Sequence, residues 1–497
     1  MTESASTSSS THNHTDSDAS SGKASNDIHS ESSLDASFFA SAESLSVESI
    51  EPLKRTFASG RTKAYDWRIA QLTALKKLLT ENTKEITKAL HSDLGKSDSE
   101  AWLTEIGYSI HDVDDNIKKL KSWMKPKKVS TPMVAWPSKS FVIAEPLGVA
   151  LIIGAWNYPF QLVVTPLIAA IAAGNCAVIK PSELSEATSE LLSKLIPKYL
   201  DNTAFRVQEG GKDETTELLA MPFDKYFYTG GEQVGRIVMT AAAKHLAPVT
   251  LELGGKSPCV VDGETNLEVA IRRIVWGKWM NAGQTCVAPD YLLIEEKYLA
   301  DFSQALIAEI KKQYSEKPKA NKDYGRIINQ RHCARLISYL DGVNVIHGGK
   351  HDVADCYIEP TVVIQPATDA SIMQEEIFGP LLPILTFKSK QSMTSFIKSR
   401  PKPLAAYLFT SDKAFETSFI EDISAGSICV NDTNIFLANH ELPFGGVGTS
   451  GMGSYHGKAG FDTFSHQKAV MKRGFRFDFA VRYAPFSKLK LMMLKRL

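Results

Sequence analysis

The sequence predicts an α/β fold built on parallel strands with helices covering both faces. Three observations carry that expectation. From Val149 onward, short β-branched or apolar runs alternate with helical stretches, the pattern of successive βαβ units. Several of these runs carry no polar residue, as strands buried on both faces require. The chain is also large: 497 residues, 43% of them hydrophobic, correspond to about three domains and a sizeable core.

The first 45 residues are rich in Ser, Thr, Asp, Asn and His and nearly free of large apolar side chains, so the sequence predicts a disordered tail there. From Arg61 to about Leu90, Trp67, Leu72, Leu75, Leu78, Leu79, Ile86 and Leu90 recur at helical spacing, and Gly95 is a stop signal. A second helix is expected from about Ser99 to Met124, closed by Pro126. Pro126, Pro132 and Pro137 then make the segment up to Ser140 a linker into an extended arm.

Val149–Ile153 reads as a strand, Pro159–Ala173 as a helix ended by Gly174, and Cys176–Ile179 as another strand. Pro and Asn interrupt this apolar region at intervals far shorter than the roughly 20 residues of a membrane span. Strand-like runs at Phe205–Gln208, Tyr226–Tyr228 and Val249–Leu253 alternate with helical stretches at Ser185–Leu200 and Gly235–Lys244, and a second alternating region runs from Gly254 to about Phe436. The basic, amphipathic C-terminus, Lys488 to Leu497, is expected to pack on the protein or on a partner subunit ahead of touching a membrane surface.

Fifty-six basic and fifty-six acidic residues cancel, leaving no global field for nucleic acid or an anionic membrane, so a small molecule is the expected partner. Six scattered cysteines show no metal-binding or redox-pair spacing, and no metal site is expected. They suit a reducing compartment. The first fifty residues contain Lys23 but no Arg and no apolar signal core, so a cytoplasmic location is expected.

Two glycine-rich stretches imitate nucleotide sites. Gly446-Val447-Gly448-Thr449-Ser450-Gly451 matches GxGxxG, but Pro443-Phe444 leads in, Gly453 follows, and no acidic residue comes at the needed distance. It reads as a loop with several positive-φ positions. Gly254-Gly255-Lys256-Ser257 resembles the end of a P-loop, but Thr250 stands where the leading glycine belongs. Tyr228-Thr229-Gly230-Gly231-Glu232-Gln233-Val234-Gly235 is better placed, between a strand and a helix, and suits either an ordinary turn or a pyrophosphate cradle.

The chemistry points to Gly283-Gln284-Thr285-Cys286, where small and polar residues lead to one cysteine 34 residues after Glu252. Glu252 is the one carboxylate in the apolar run Leu251-Glu252-Leu253. Burial raises the pKa of such a carboxylate towards the range of a general base, and a thiolate attacks carbonyl carbon. The pair suggests covalent catalysis on an aldehyde or acyl group. Asn157, in Trp156-Asn157-Tyr158-Pro159-Phe160, ends the first strand, where its amide can meet an oxyanion or merely cap a helix. Lys180-Pro181-Ser182-Glu183 and Glu375-Glu376-Ile377-Phe378-Gly379-Pro380 suit sugar hydroxyls, or solvated turns.

The order and spacing of these segments resemble the aldehyde dehydrogenase superfamily from about Phe57 to Lys472. Ile152 to Phe160, Leu442 to Gly448 and Ser450-Gly451-Met452-Gly453-Ser454-Tyr455-His456-Gly457-Lys458 resemble class 3, its dimeric branch. The resemblance implies a Rossmann-type NAD(P)-binding domain over residues 46–125 and 147–253, an α/β catalytic domain over 254–460, and a small β bridging arm for a homodimer over 126–146 and 461–497. It also implies Cys286 as nucleophile, Glu252 as base and Asn157 as oxyanion donor. Trp156, Lys180, Ser182, Glu183, Gly230, Gly231, Gly235, Glu376 and Phe378 would then hold the coenzyme, and Tyr108 and Trp279 would line the substrate tunnel. NAD is the expected coenzyme, with NADP tolerated despite Glu183. A thiol-dependent ester hydrolase and a non-catalytic protein on the same fold are the alternatives. Glu232, next to the expected pyrophosphate, departs from the family pattern and would weaken binding unless it points to solvent.

Overall fold

The computed structural model describes residues 47–496, so the expected disordered tail over residues 1–45 lies outside the described residues. Two twisted, mainly parallel sheets organise the chain. The first has the spatial order Gly451–Met452, Val249–Glu252, Lys225–Thr229, Val149–Ile153, Cys176–Lys180 and Phe205–Val207. All neighbours are parallel except the short Gly451–Met452 edge. Strand order reverses between Val149–Ile153 and Lys225–Thr229, and a doubly wound sheet opens a ligand crevice beyond the carboxyl ends of its strands at such a point.

The helix Gln161–Ala173 crosses from the first strand to the second. It is apolar all round and buried along almost its whole length, as a helix in the centre of a large protein must be. Gly174, left-handed at φ 90°, ends it as the sequence predicts, and its N–H and that of Asn175 both return to the Ala170 carbonyl.

The second sheet has the order Asn344–His347, Thr361–Ile364, Leu381–Phe387, Tyr291–Glu295, Pro258–Val261, Ala405–Phe409 and Ser427–Val430, antiparallel only at its Asn344–His347 edge. Lys127–Val129, Lys139–Pro146 and Ser465–Lys472 form a separate antiparallel sheet, joining the expected arm to the C-terminal region. Among the described residues no helix is long and apolar enough to cross a membrane.

Two helix expectations need correction. The helix expected over Arg61–Leu90 is two helices, Tyr65–Glu81 and Thr83–Leu94, because Asn82 leaves helical geometry and turns its amide back to the Leu78 carbonyl. The helix expected over Ser99–Met124 is interrupted at Trp102–Ile106 by a wide π-type turn before it resumes as Gly107–Trp123. Such turns re-aim side chains in a way a regular helix does not, and periodicity alone does not reveal them.

Candidate active site

Trp156 and Asn157 follow the carboxyl end of Val149–Ile153, and Gly230 and Gly231 follow that of Lys225–Thr229, so the two expected turns flank the crevice. Asn157 is buried, and its side-chain amide donates to the Gln284 carbonyl at 3.0 Å. One residue along on each side, the Tyr158 and Thr285 hydroxyls pair at 2.6 Å. The strand-end turn and the cysteine loop are thereby fastened together.

The cysteine loop itself is tightly wound. Asn281, Ala282 and Gly283 take left-handed φ values of 54°, 50° and 75° after the helix Leu267–Trp279. A side chain on Gly283 would come within 2.2 Å of the Gly379 carbonyl, which accounts for the glycine. Gln284 secures the turn: its amide donates to the carbonyls of Asn281 and Arg326 and accepts from the Ile328 N–H.

Cys286 opens onto a narrow cavity of about 130 Å³, lined largely by apolar and aromatic side chains such as Leu103, Tyr158, Trp276, Phe444 and Tyr455. Burial, then the charges of Glu376 and Glu252, push the Cys286 thiol up to about 12, so the group rests as a thiol.

Glu252 ends its strand with both carboxylate oxygens buried and without a hydrogen-bond partner. Burial raises its pKa well above the usual carboxylate range, opposed by the positive charge of Lys225. Lys225, which sequence inspection did not single out, is buried, donates to the Thr250 hydroxyl at 2.6 Å, and is pulled down to about 7 by desolvation. Gly451, from the GxGxxG look-alike, is the antiparallel neighbour of Glu252. A side chain there would strike the Leu251 carbonyl at 2.3 Å. That loop packs on the glutamate's strand, with Gly448, Gly451 and Gly453 at positive φ as expected.

Tyr108 lines the cavity and its hydroxyl donates to the Leu437 carbonyl at 3.2 Å, with the ring nitrogens of His456 also in reach. Trp279 does not line it. Its ring is buried away from the cavity with Nε1 donating to the Pro380 carbonyl at 2.8 Å, whereas Trp276, almost one turn earlier, faces the cavity. Three residues leave the two side chains only about 60° apart on the helix, and the bond to Pro380 accompanies the turn of Trp279 away from the cavity. His456, which belongs to the glycine-rich segment resembling class 3, also stands in the wall. Burial lowers its pKa to about 3, which keeps it neutral.

A second, polar cleft of about 600 Å³ is lined by Gly254, Gly255, Lys256, Glu376, Arg400 and Lys402, among others. The Glu376 carboxyl packs against Gly254, where a Cβ would lie 2.0 Å from its oxygen, and its Oε1 is buried without a partner. Burial, then Asp290, raises Glu376 to about 8. Phe378 takes φ 48° and packs edge-on against Trp156, centroids 5.2 Å apart. On the first sheet, buried Lys180 donates to the Pro181 carbonyl and reaches the half-exposed Glu183 at 3.4 Å. Ser182 is committed to its own turn, accepting from the Leu184 N–H.

Gly231 precedes the helix Glu232–Lys244, and a Cβ on it would meet nothing within 4 Å. Gly235 seats that helix on Leu253, 2.8 Å from a would-be Cβ. Glu232 pairs with Arg236 one turn along at the surface. An open glycine at a helix N-terminus, an unpartnered carboxylate oxygen and a cationic cleft are the features a nicotinamide dinucleotide requires of its site. The residues present fit that group.

Comparison with known proteins agrees with this geometry. The profile of the Aldehyde dehydrogenase family matches residues 46–470. Aldehyde dehydrogenase family 3 member H1 of Arabidopsis thaliana is 48% identical over 92% of this chain and 96% of its own length. The dimeric NADP-preferring aldehyde dehydrogenase of Rattus norvegicus is 44% identical over 88% of this chain and 97% of its own. A solved structure of Staphylococcus aureus AldH in a substrate-bound state is 46% identical, covers 90% of this chain and 98% of its own, and superposes with a TM-score of 0.88.

Proposed function

This chain belongs to the aldehyde dehydrogenase family, whose members oxidise aldehydes to carboxylic acids with NAD(P)+, and we propose that it does so through Cys286, Glu252 and Asn157. The observation that carries this reading is Cys286 in the lining of an apolar cavity, with the Glu252 and Glu376 carboxyls near enough to raise its thiol.

Cys286 gives up its proton to solvent, and Sγ bonds to the aldehyde carbon as the carbonyl π electrons pass to oxygen. The resulting hemithioacetal oxyanion accepts hydrogen bonds from the Asn157 amide, released from the Gln284 carbonyl, and from the Cys286 N–H. When bound, a nicotinamide would supply the hydride acceptor for that carbon, whose loss of hydride would leave a thioester on Cys286. Glu252 then takes a proton from water, the water oxygen replaces sulfur at the acyl carbon, and the acid leaves with Cys286 again a thiol. Glu252 suits this work because no hydrogen bond satisfies its charged form.

Trp156, Lys180, Ser182, Glu183, Gly230, Gly231, Gly235, Glu376 and Phe378 are the residues we assign to the coenzyme. Lys180 and Glu183 would hold the adenosine ribose, Gly230 to Gly235 the pyrophosphate, and Glu376 the nicotinamide ribose. NAD is the preferred coenzyme in this reading. NADP is tolerated, since half-exposed Glu183 is only loosely paired and has room to turn from a 2′-phosphate. The aromatic walls favour aromatic or medium- to long-chain aliphatic aldehydes.

Residues 46–125 and 147–253 then serve coenzyme binding and 254–460 catalysis, while 126–146 and 461–497 bridge a homodimer. Exposed Met133, Trp136 and Met471 on the arm support that last assignment. Leu489, Leu491, Met492 and Met493 are exposed on the C-terminal helix Lys488–Leu494, and we assign them to contact with the partner subunit. Six free cysteines support a reducing, cytoplasmic location.

The test is formation of reduced coenzyme from a panel of aliphatic and aromatic aldehydes by the wild type, Cys286→Ala and Glu252→Gln. Turnover by the wild type and none by Cys286→Ala supports the assignment. Cleavage of an activated ester without any reduced coenzyme would replace it with a thiol-dependent hydrolase.

A further inference from the structure

We propose that Lys96, Glu105 and Asn281, none of which lines the substrate cavity, are positioning residues that aim the Asn157 amide at the oxyanion. The inference rests on the reading of Asn157 given above. Lys96 and Glu105 are fully buried and form an ion pair behind the cavity wall. Lys96 Nζ also donates to the Asn157 carbonyl at 3.1 Å and lies 4.0 Å from the centroid of the Tyr158 ring. Glu105 Oε2 accepts from the Phe160 N–H at 2.9 Å and from the Gln161 N–H at 3.1 Å. Asn281 Nδ2 makes a second hydrogen bond to the Asn157 carbonyl, at 2.7 Å.

These contacts grip the 157–161 turn at both ends. Its first carbonyl is held by two donors and its last two amides by one carboxylate. Glu105 occupies the N-terminus of the buried Gln161–Ala173 helix, where the helix dipole favours an anion, and it reaches that place from the π-type turn at Trp102–Ile106. Asn281 belongs to the left-handed run before Cys286 and bonds both the Asn157 and the Gln284 carbonyls, so the nucleophile's loop and the Asn157 turn share one anchor.

A buried ion pair stabilises a fold weakly, since well-packed apolar side chains of similar volume do as well or better. What this pair supplies is direction. With the Asn157 peptide plane held from behind, the side chain extends from a fixed Cα towards the sulfur's reaction partner, and a displacement of about 1 Å at such a position costs roughly a hundredfold in rate. The expected effect of losing one anchor is a ten- to hundredfold slower first turnover, with coenzyme affinity little changed.

The experiment is single-turnover formation of reduced coenzyme from benzaldehyde and from hexanal, at saturating NAD+, in the full chain. It compares wild type, Lys96→Met, Asn281→Ala, Asn157→Ala and the two double variants containing Asn157→Ala. Coenzyme affinity and thermal midpoint are measured beside each. Lys96→Met strands the Glu105 charge and can fail to fold. Asn281→Ala removes a neutral amide, leaves no buried charge unpaired, and carries the test in that case. Slowed singles, with doubles no slower than Asn157→Ala alone, support the inference, because anchors acting through one amide lose their effect when it is absent. Losses that multiply in the doubles, or anchor variants as fast as wild type beside a slow Asn157→Ala, overturn it and leave the Asn157 reading intact. A wild-type first turnover in Asn157→Ala removes that reading, and the inference with it.

Discussion

The hydroxyls of Tyr158 and Thr285 stand 2.6 Å apart, one residue after Asn157 and one before Cys286, and cross-link two segments far apart in sequence. Both side chains are buried, so neither hydroxyl has bulk water as a substitute partner. Tyr158→Phe leaves the Thr285 hydroxyl without this bond and should cost about 1 to 3 kcal/mol of stability. The thermal midpoint measures that cost, and a fall in kcat/KM beyond it reports loosened alignment of the nucleophile.

Glu252→Gln separates the two half-reactions. The first turnover of reduced coenzyme should persist, while steady-state turnover falls by on the order of a hundredfold or more as hydrolysis loses its base. Stability should move the other way with pH. The folded-state pKa of Glu252 lies above its unfolded value near 4.3, so the native state binds the extra proton and wild-type stability falls as pH rises from there towards the folded pKa. Glutamine does not titrate, so the thermal midpoint of Glu252→Gln should gain on wild type as pH increases.

Cys286 should alkylate slowly and with a steep pH dependence in the coenzyme-free protein. Its thiol is pushed up to about 12 by burial and by two carboxylates. The thiolate fraction therefore rises about tenfold per pH unit through the neutral range. Iodoacetamide inactivation followed from about pH 7 to about pH 9 should climb without a plateau, and a plateau near neutrality would show an ionised resting cysteine.

The two tryptophans of one helix should part in function. Trp276→Ala widens the cavity and should shift kcat/KM between short and long aldehydes by roughly 10- to 200-fold, the worth of about 1 to 3 kcal/mol. Trp279→Phe loses the bond to the Pro380 carbonyl, and should lower stability by about 1 kcal/mol without changing the chain-length profile. A shared profile change would place Trp279 at the substrate after all.

Glu183→Gln should raise the NADP to NAD preference about fivefold. Removing one exposed like charge near a 2′-phosphate is worth about 1 kcal/mol in water. The ratio of kcat/KM values for the two coenzymes measures it, and an unchanged ratio would take Glu183 out of the ribose site.

Sequence by itself determined the alternating parallel architecture, because burial on both faces writes apolar runs that periodicity reads directly, as at Val149–Ile153 and Cys176–Lys180. It also singled out Gly283, Cys286, Glu252 and Asn157 as candidates, with the family resemblance deciding the role proposed for Asn157. Only the tertiary structure decided what surrounds them. Lys96, Glu105 and Asn281 meet the Asn157 turn through contacts 55 to 124 residues apart, and nothing local marks them. The choice between Trp276 and Trp279 depends on which face of the helix meets the cavity, and both sit in the same apolar stretch. The interruption at Asn82 and the π-type turn at Trp102–Ile106 preserve apolar spacing while changing direction. Local periodicity records how much of an element is buried, whereas the partner of a buried polar group is set by segments that converge only when the chain folds.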